Sequence, residues 1–231
     1  MTSTTVFIVD DDPDIRSSLS LLLEMDNLKS ACFANADDFL LACDSTLDGC
    51  LILDVHMPGM SGLQLQDELG LRNIHWPVIF LTGSADMSTA VGAMRKGAVD
   101  FMTKPVNGKL LLERVHSALE NHCLQKQAGA ARFLFEARLL KLTLREHQVL
   151  VHALSNMSNK MISQELAISV RTVEGHRTQI FLKLGIDSLI QLAQQAASVG
   201  MPLAEIAYLS QTQKTDVRTV PLTPAMGHVH V

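Results

Sequence analysis

The first half of the chain alternates short apolar runs with segments in which apolar residues recur every three or four positions. Five runs rich in β-branched and aromatic residues are predicted strands: 5–9, 28–33, 50–54, 77–82 and 99–103. The intervening segments predict helices that begin near Pro13, Asn35, Ser61, Asp86 and Asn107. Strands that alternate with helices predict an α/β domain, with a doubly wound parallel sheet and right-handed crossovers.

The second half shows no strand pattern. An Ala- and Gln-rich stretch at 121–138 is typical of a helical extension or a semi-stiff linker, and four helical segments follow it: 144–155, 159–166, 170–184 and 189–199. Thr143 and Glu146 form a capping-box pattern before the first of these. A tight turn separates the second from the third, and Ser169 is placed to cap the third. This arrangement predicts a helix-turn-helix, whose second helix enters the major groove of DNA.

The length of 231 residues suits two domains. We expect an α/β domain at 4–120, a helical linker at 121–138, an all-α domain at 139–204 and a disordered tail at 205–231. His228 and His230 in that tail could bind a metal, although a disordered tail without one is the better interpretation.

The net charge of −5 conceals an asymmetry. Residues 1–125 carry 8 Lys and Arg against 17 Asp and Glu, whereas residues 126–204 carry 9 against 5. The acidic part could hold cations, and the weakly basic part could approach nucleic acid.

Apolar runs are too short for a membrane span, and the N-terminus turns acidic too early for a signal peptide. Four scattered cysteines indicate reduced thiols, so we expect a soluble, cytoplasmic protein.

Reactive side chains stand where the predicted strands end, which is the edge that binds ligands in such sheets. They are Asp10 and Asp11, Asp54, Thr82 and Lys104. A single aspartate after a strand more often caps a turn, but this combination predicts a site. Clustered carboxylates repel unless a cation joins them, and Mg²⁺ suits such oxygen ligands. Asp54 is then the candidate nucleophile towards a phosphoryl group, with Thr82 and Lys104 as phosphate contacts. A cis bond before Pro105 would aim the lysine.

The motifs that carry these residues resemble the response-regulator receiver domain of two-component systems. They are "VDDD" (9–12), "LDVHMPGMSG" (53–62), "LTG" (81–83) and "GAVDFMTKP" (97–105). The resemblance implies a sheet of order 2-1-3-4-5 and phosphorylation of Asp54 by a histidine kinase. It also implies that Asp10, Asp11, Asp54 and the backbone carbonyl of His56 hold Mg²⁺, and that Thr82 and Phe101 form a switch pair.

Several positions near this site admit two interpretations. Asp12 is either the third acidic residue common in receivers or an exposed cap of the first helix. The His56 imidazole could bind a metal or act as a base, but the receiver pattern assigns the backbone of His56 instead. His56, Gly83 and Ser84 lie where receivers tune the lifetime of the phosphate, in a direction that the sequence leaves open.

The stretch from "LTLREHQVL" to "FLKLGIDS" (142–188) resembles the LuxR-type helix-turn-helix, a small domain of four helices. The whole chain thus resembles a response regulator of the NarL/FixJ class. The helix-turn-helix at 159–178 and its flank provide the expected DNA contacts: Asn159, Lys160, Ser169, Arg171, Thr172, Glu174, Arg177, Thr178 and Lys183. Gly175 departs from the family pattern. Glycine inside a helix lowers stability by about 1 kcal/mol relative to alanine, and it has no side chain that could read a base.

The leading hypothesis is a phosphorylation-switched transcription factor that uses Mg²⁺. Receivers of this class pair through the fourth helix and fifth strand, which here implies Val91, Arg95 and Asp100 in a homodimer. The implied partners are a histidine kinase, promoter DNA and RNA polymerase. A Mg²⁺-dependent phosphatase would need a second aspartate where His56 stands. A switch that binds only proteins is the other alternative, and the capped helix pair argues against it.

Overall fold

Five parallel strands form the sheet of the first part of the chain, in the order β2-β1-β3-β4-β5. The strands are β1 Thr5–Val9, β2 Lys29–Phe33, β3 Gly49–Asp54, β4 Val78–Thr82 and β5 Asp100–Thr103. Every residue of β3 and β4 is buried, because helices cover both faces of the sheet. This explains why these strands are continuous apolar runs. The predicted α/β architecture and strand order are confirmed.

The structure is a computed structural model that describes residues 4–43, 47–83 and 87–212. Its contacts divide the chain into two units, with the division after Lys126. Helices of the first unit are α1 Pro13–Met25, α2 Ala36–Ala42, α3 Gly62–Leu71, α4 Met87–Arg95 and the start of α5 Gly108–Leu139. The expected start of α4 at Asp86 lies outside the described residues. The stretch 121–138 is part of α5, so the prediction of a helix there is confirmed.

Side-chain oxygens fix where the first three helices begin. Asp12, Asn35 and Ser61 each accept a hydrogen bond from a backbone N–H in the first turn that follows. Such caps satisfy N–H groups that have no partner within the helix. They fix the first residues of each helix, and α1 and α3 follow strands at whose ends reactive side chains were predicted.

Gly62 lets α3 begin directly against the end of β3. A Cβ atom at this position would lie 2.1 Å from the backbone oxygen of Asp54, so no larger residue fits without moving the chain. The Gly62 N–H donates to the carbonyl of Val55 at 3.1 Å. This close approach fixes the backbone that carries Asp54.

The second unit is entirely helical in its described part. The last turns of α5 are followed by α6 Leu144–Leu154, α7 Asn159–Glu165, α8 Val170–Leu184, α9 Leu189–Ser198 and α10 Leu203–Thr212. One core joins them, with Val149, Ile162, Val173 and Leu192 fully buried. The predicted capping box is present, because Thr143 and Glu146 each bind the other's backbone N–H. The four expected helices therefore correspond to α6–α9.

The prediction that a disordered tail begins at residue 205 is wrong for residues 205–212. Residues 205–212 belong to α10, Ile206 is fully buried in the core, and Glu205 pairs with Arg132 at 2.5 Å. The apolar spacing of this segment is helical, and Pro202 precedes a helix as proline commonly does. Residues 213–231, including His228 and His230, lie outside the described residues. Within the described ranges, none of the helices has both the length and the hydropathy needed to cross a membrane.

Candidate functional site

The predicted reactive side chains meet at the carboxyl edge of the sheet. Asp10 follows β1, Asp54 ends β3, Thr82 ends β4 and Lys104 follows β5. Asp10, Asp54 and Thr82 are buried. The Lys104 Nζ lies 2.7 Å from Asp10 Oδ2 and 2.9 Å from Asp54 Oδ2. One ammonium therefore joins two buried carboxylates, as the spacing of strand ends predicted.

Burial and the neighbouring charged groups shift the pKa values of Asp10 and Lys104 in opposite directions. Burial raises the pKa of Asp10, and it outweighs the opposing effects of Lys104 and of the Asp12 N–H, which donates at 3.0 Å. Burial acts to lower the pKa of Lys104, but its hydrogen bonds to Asp10 and Asp54 outweigh burial and raise it. The lysine is therefore held protonated, and the Asp10 carboxylate would be stabilised by a further cation.

Asp11 completes a group of carboxylates that suits a divalent cation. Asp10, Asp11 and Asp54 each offer an oxygen, and these three atoms lie within 4.8 Å of one another. Asp11 is exposed, so the group is accessible from solvent. Hard oxygen donors with room for water are what Mg²⁺ prefers. The donor set fits that ion.

His56 and Asp12 flank the acidic group, and the contacts of each bear on the alternatives that the sequence left open. The His56 imidazole is exposed, and the His56 backbone N–H donates to Asp54 Oδ1 at 3.3 Å. Asp12 accepts hydrogen bonds from the N–H groups of Asp14 and Ile15 at the start of α1. The helix-cap interpretation of Asp12 is therefore confirmed.

Sequence reasoning missed Arg16 in this site. Its Nη1 donates to the backbone oxygen of Asp10 at 2.6 Å. This contact ties the loop that carries Asp10 and Asp11 to the first turn of α1. A basic residue six positions after the strand-end aspartate was the available signal, but a lone arginine on a helix is usually a solvated residue.

For the expected Mg²⁺-dependent phosphorylation of Asp54, Arg16→Met should slow the rate about tenfold and raise the Mg²⁺ concentration needed for half-maximal rate, since a hydrogen bond to the loop is lost. The measurement is the rate of labelling by acetyl phosphate across a Mg²⁺ series. Arg16→Lys, which keeps one donor, should be less impaired. An unchanged rate and Mg²⁺ dependence in Arg16→Met would contradict a role in the site.

The residues of the expected switch lie on one face of the sheet. Phe80 of β4 is in register with Phe101 of β5, and their ring centroids are 6.2 Å apart. Thr82 lies two positions after Phe80, so it shares this face. Phe101 is half-buried, whereas Thr82 is fully buried. The Lys104–Pro105 peptide bond is cis, as predicted.

The positions named for dimerisation and for phosphate lifetime are mostly exposed. Val91, Arg95 and Gly83 are accessible to solvent. Asp100 pairs with Arg114 at 2.9 Å, so its carboxylate already has a partner within the chain. Ser84 lies outside the described residues.

The helix-turn-helix is present in the second unit. Ala167 adopts a left-handed conformation in the turn, with φ of 52°, and Ser169 accepts a hydrogen bond from the Thr172 N–H at 3.0 Å. Lys160 of α7 and the start of α8 are exposed. The exposed predicted DNA contacts on α8 are Arg171, Thr172, Glu174 and Thr178. They share the helix that the sequence predicted to enter the major groove.

Three predicted DNA contacts, Lys183, Arg177 and Asn159, bind side chains on other helices of the unit. Lys183 donates to both carboxylate oxygens of Glu146, at 2.7 and 2.9 Å, so it joins α8 to α6 within the unit. Arg177 donates to Asn159 Oδ1 at 3.0 Å, and its guanidinium lies 5.9 Å from the Phe181 ring centroid. Arg177 and Asn159 therefore join α7 to α8 and set the position of the second helix.

Gly175 has no packing role, because a Cβ atom there would meet nothing within 4 Å. Gly175→Ala should raise the free energy of unfolding of the second unit by about 1 kcal/mol, since alanine favours the helix. Chemical denaturation followed by far-UV circular dichroism measures this. Lower stability would contradict the open surroundings of Gly175, and a loss of DNA affinity without loss of stability would show that DNA approaches this position closely.

Comparison with known proteins finds a matching family for each of the two units. Residues 6–116 match the family described as response regulator receiver domain, and residues 140–196 match the family of bacterial regulatory proteins, luxR family. The transcriptional regulatory protein FixJ of Azorhizobium caulinodans is 38% identical, over 89% of this chain and 97% of the relative. The transcriptional regulatory protein TdiR of Thauera aromatica is 40% identical, over 80% and 82%. The solved structure of response regulator StyR is 36% identical and covers 84% of this chain and 98% of its own, with a TM-score of 0.77.

A receiver followed by a LuxR-type DNA-binding domain defines a class of two-component transcriptional regulators. The chain belongs to this class, as a response regulator of the NarL/FixJ type.

Proposed function

We propose that phosphorylation of Asp54 switches this protein into a dimer that binds promoter DNA. The observation that carries the proposal is the geometry around Asp54. The carboxylate is buried at a strand end, and Lys104 holds it beside Asp10 while Asp11 completes the acidic group. The same chain carries an exposed helix-turn-helix face, which supplies the output.

In the proposed reaction, an oxygen of Asp54 attacks the phosphorus atom of a phosphohistidine on the cognate kinase. The new oxygen–phosphorus bond forms an acyl phosphate as the nitrogen–phosphorus bond breaks. Lys104, whose Nζ lies 2.9 Å from Asp54 Oδ2, is placed to bind the arriving phosphate, and the Thr82 hydroxyl would donate a hydrogen bond to it. Asp10, Asp11, Asp54 and the backbone carbonyl of His56 would hold Mg²⁺, which when bound would neutralise charge on the phosphoryl oxygens. The same residues would promote hydrolysis of the acyl phosphate.

Dimerisation and DNA binding would follow from a shift between two conformational states of the receiver. Thr82 would move towards the phosphate, and the Phe101 ring would turn inward on the face that both share. The surface of Val91, Arg95 and Asp100 would then pair with a second copy. Two recognition helices would read two half-sites of one promoter in the cytoplasm, where the dimer could engage RNA polymerase.

Acetyl phosphate treatment tests this proposal. The full chain is incubated with and without Mg²⁺, and phosphorylation, molar mass and affinity for genomic DNA fragments are measured on the same samples. Mg²⁺-dependent phosphorylation, dimerisation and a gain in DNA affinity are expected. Absence of phosphorylation would refute the receiver mechanism. Phosphorylation without affinity for any fragment would favour a switch that binds only proteins.

A further inference from the structure

The last turns of α5, which belong to the second unit, carry apolar residues on two opposite sides. Phe135 and Leu139 lie on one side and are buried in the core of the unit. Phe133 and Leu140 lie on the other side and are 70% and 63% exposed. A helix at the surface of a domain normally presents polar residues on the side away from the core. The exposed apolar side therefore needs an explanation beyond the fold of the unit.

The exposed apolar residues have the spacing that packs one helix against another. Four of them follow at intervals of three, four and three positions, and we call them the α5 stripe: Ala130, Phe133, Ala137 and Leu140. These intervals are those of the a and d positions of a heptad repeat. Leu134 lies beside the stripe and is 59% exposed. Small and large residues alternate along the stripe, which allows two such stripes to interdigitate.

The charges beside the stripe favour a second copy of the same helix in parallel orientation. Glu136 and Lys141 flank the stripe on its two sides, at heptad positions g and e. In a parallel pair, Glu136 of each copy would meet Lys141 of the other. Arg132 binds Oε1 of Glu136 at 2.9 Å. Among the described residues, Glu136 Oε2 and the Lys141 ammonium have no ionic partner, so both are available to a second copy.

The α5 stripe is short. It ends at Leu140, whose N–H still donates to the carbonyl of Glu136 at 3.0 Å. Lys126 stands one heptad before Phe133, and its ammonium is paired with Asp48 at 2.8 Å, so the apolar repeat begins after it. The stripe spans about three helical turns, whereas coiled coils usually sustain the repeat over at least about three heptads. Two copies therefore need another interface to bring their stripes together.

We propose that the α5 stripe pairs in parallel with the same stripe of a second copy once the receiver domains have dimerised. This inference rests on the dimerisation proposed above. Pairing of the receivers makes contact between the two α5 segments an intramolecular step, for which a short interface is sufficient. Because Phe135 and Leu139 fix the same turns of α5 in the core of the second unit, the paired helices would hold two DNA-binding domains beside each other.

Disulfide trapping tests this pairing. Cys32 and Cys123 are exposed, so both are first replaced by serine. Ala130→Cys then places a thiol in the stripe, and the control Ala131→Cys places one at the next exposed position, outside the stripe. After acetyl phosphate treatment and mild oxidation, Ala130→Cys should give at least about tenfold more cross-linked dimer, since a disulfide needs Cα atoms within about 7 Å. The molar mass of the reduced samples reports dimerisation separately.

A charge in the stripe provides the second test. Phe133→Lys should raise the dissociation constant of the phosphorylated dimer about tenfold, because pairing would bury the new ammonium without a partner. Leu124→Lys is the matched control, since Leu124 is 56% exposed on α5 but lies outside the stripe. It should dimerise as the wild type does. Both variants should be labelled by acetyl phosphate at the wild-type rate, which shows that the receiver is folded.

The possible outcomes separate this inference from the proposed function. Dimerisation on phosphorylation without preferential cross-linking at Ala130 would overturn the α5 pairing and leave the proposed function intact. Phosphorylation that produces neither a dimer nor a cross-link would overturn both. Cross-linking at Ala130 in equal amount without phosphorylation would overturn the dependence on receiver pairing. Protection of the introduced thiol from a maleimide in the monomer would mean that the chain covers its own stripe, and would overturn the pairing.

Discussion

Asp54→Asn should abolish phosphorylation by acetyl phosphate, with the rate of labelling reduced by at least about 100-fold. A carboxamide is a poor nucleophile, and the change also removes one of three carboxylates that converge within 4.8 Å. The gain in DNA affinity after acetyl phosphate treatment should be lost with it. Phosphate-affinity electrophoresis measures the first effect, and gel-shift titration with a selected DNA fragment measures the second.

Asp12→Asn is the matched control for this experiment. It removes a carboxylate from the same edge of the sheet, but asparagine caps a helix as well as aspartate does. Because Asp12 caps α1, this variant should be labelled at nearly the wild-type rate. Labelling of Asp54→Asn at the wild-type rate would refute Asp54 as the acceptor. Equal loss in both variants would mean that charge at this edge, rather than the nucleophile, limits the reaction.

Lys183→Met should lower the free energy of unfolding of the second unit by about 3 kcal/mol, because it leaves a buried carboxylate without its partner charge. Glu146 is 4% exposed, and the Lys183 Nζ lies 2.7 Å from it. Urea denaturation followed by far-UV circular dichroism measures the loss. Trp76 fluorescence, which reports on the first unit, should be unchanged.

The effect of Lys183→Met should depend on pH. Burial acts to raise the pKa of Glu146, but Lys183 and Thr143 outweigh it and lower the pKa below its ordinary value of 4.5. A lowered carboxyl pKa stabilises the fold above that ordinary value, and this stabilisation is lost as pH falls through the folded pKa. The difference between wild type and variant should therefore be full at neutral pH and shrink in acid.

Lys160→Met separates stability from DNA binding. Lys160 is exposed on α7, so its loss should change the free energy of unfolding by less than about 0.5 kcal/mol while weakening DNA binding. Lys183→Met should instead lower the free energy of unfolding strongly and have little direct effect on DNA binding. If Lys183→Met weakened DNA binding without any loss of stability, our structural assignment of Lys183 would be wrong.

Local pattern was enough to predict most of the fold and the centre of the site. Strand ends of a parallel sheet share one edge, so the order of Asp10, Asp54, Thr82 and Lys104 along the chain already implied their meeting. The helix starts were likewise encoded in single residues, since a cap acts within one turn. Asn156, where the chain was expected to turn, has a φ of 63°.

Contacts between distant segments could not be predicted in this way. Lys183 has the sequence context of a DNA contact, and only folding brings it to Glu146, 37 residues away. Arg16 reaches a backbone oxygen, which no side-chain motif marks. The Gln66 amide reaches the backbone oxygen of Lys96 across 30 residues of sequence.

The sequence by itself determined the order of elements, their caps and the residues at the edge of the sheet, because those depend on periodicity and on chain direction. The tertiary structure alone decided which polar groups are already paired and which are not. Pairing depends on the distance between side chains in space, and the same lysine can contact DNA or the core according to what folding places beside it.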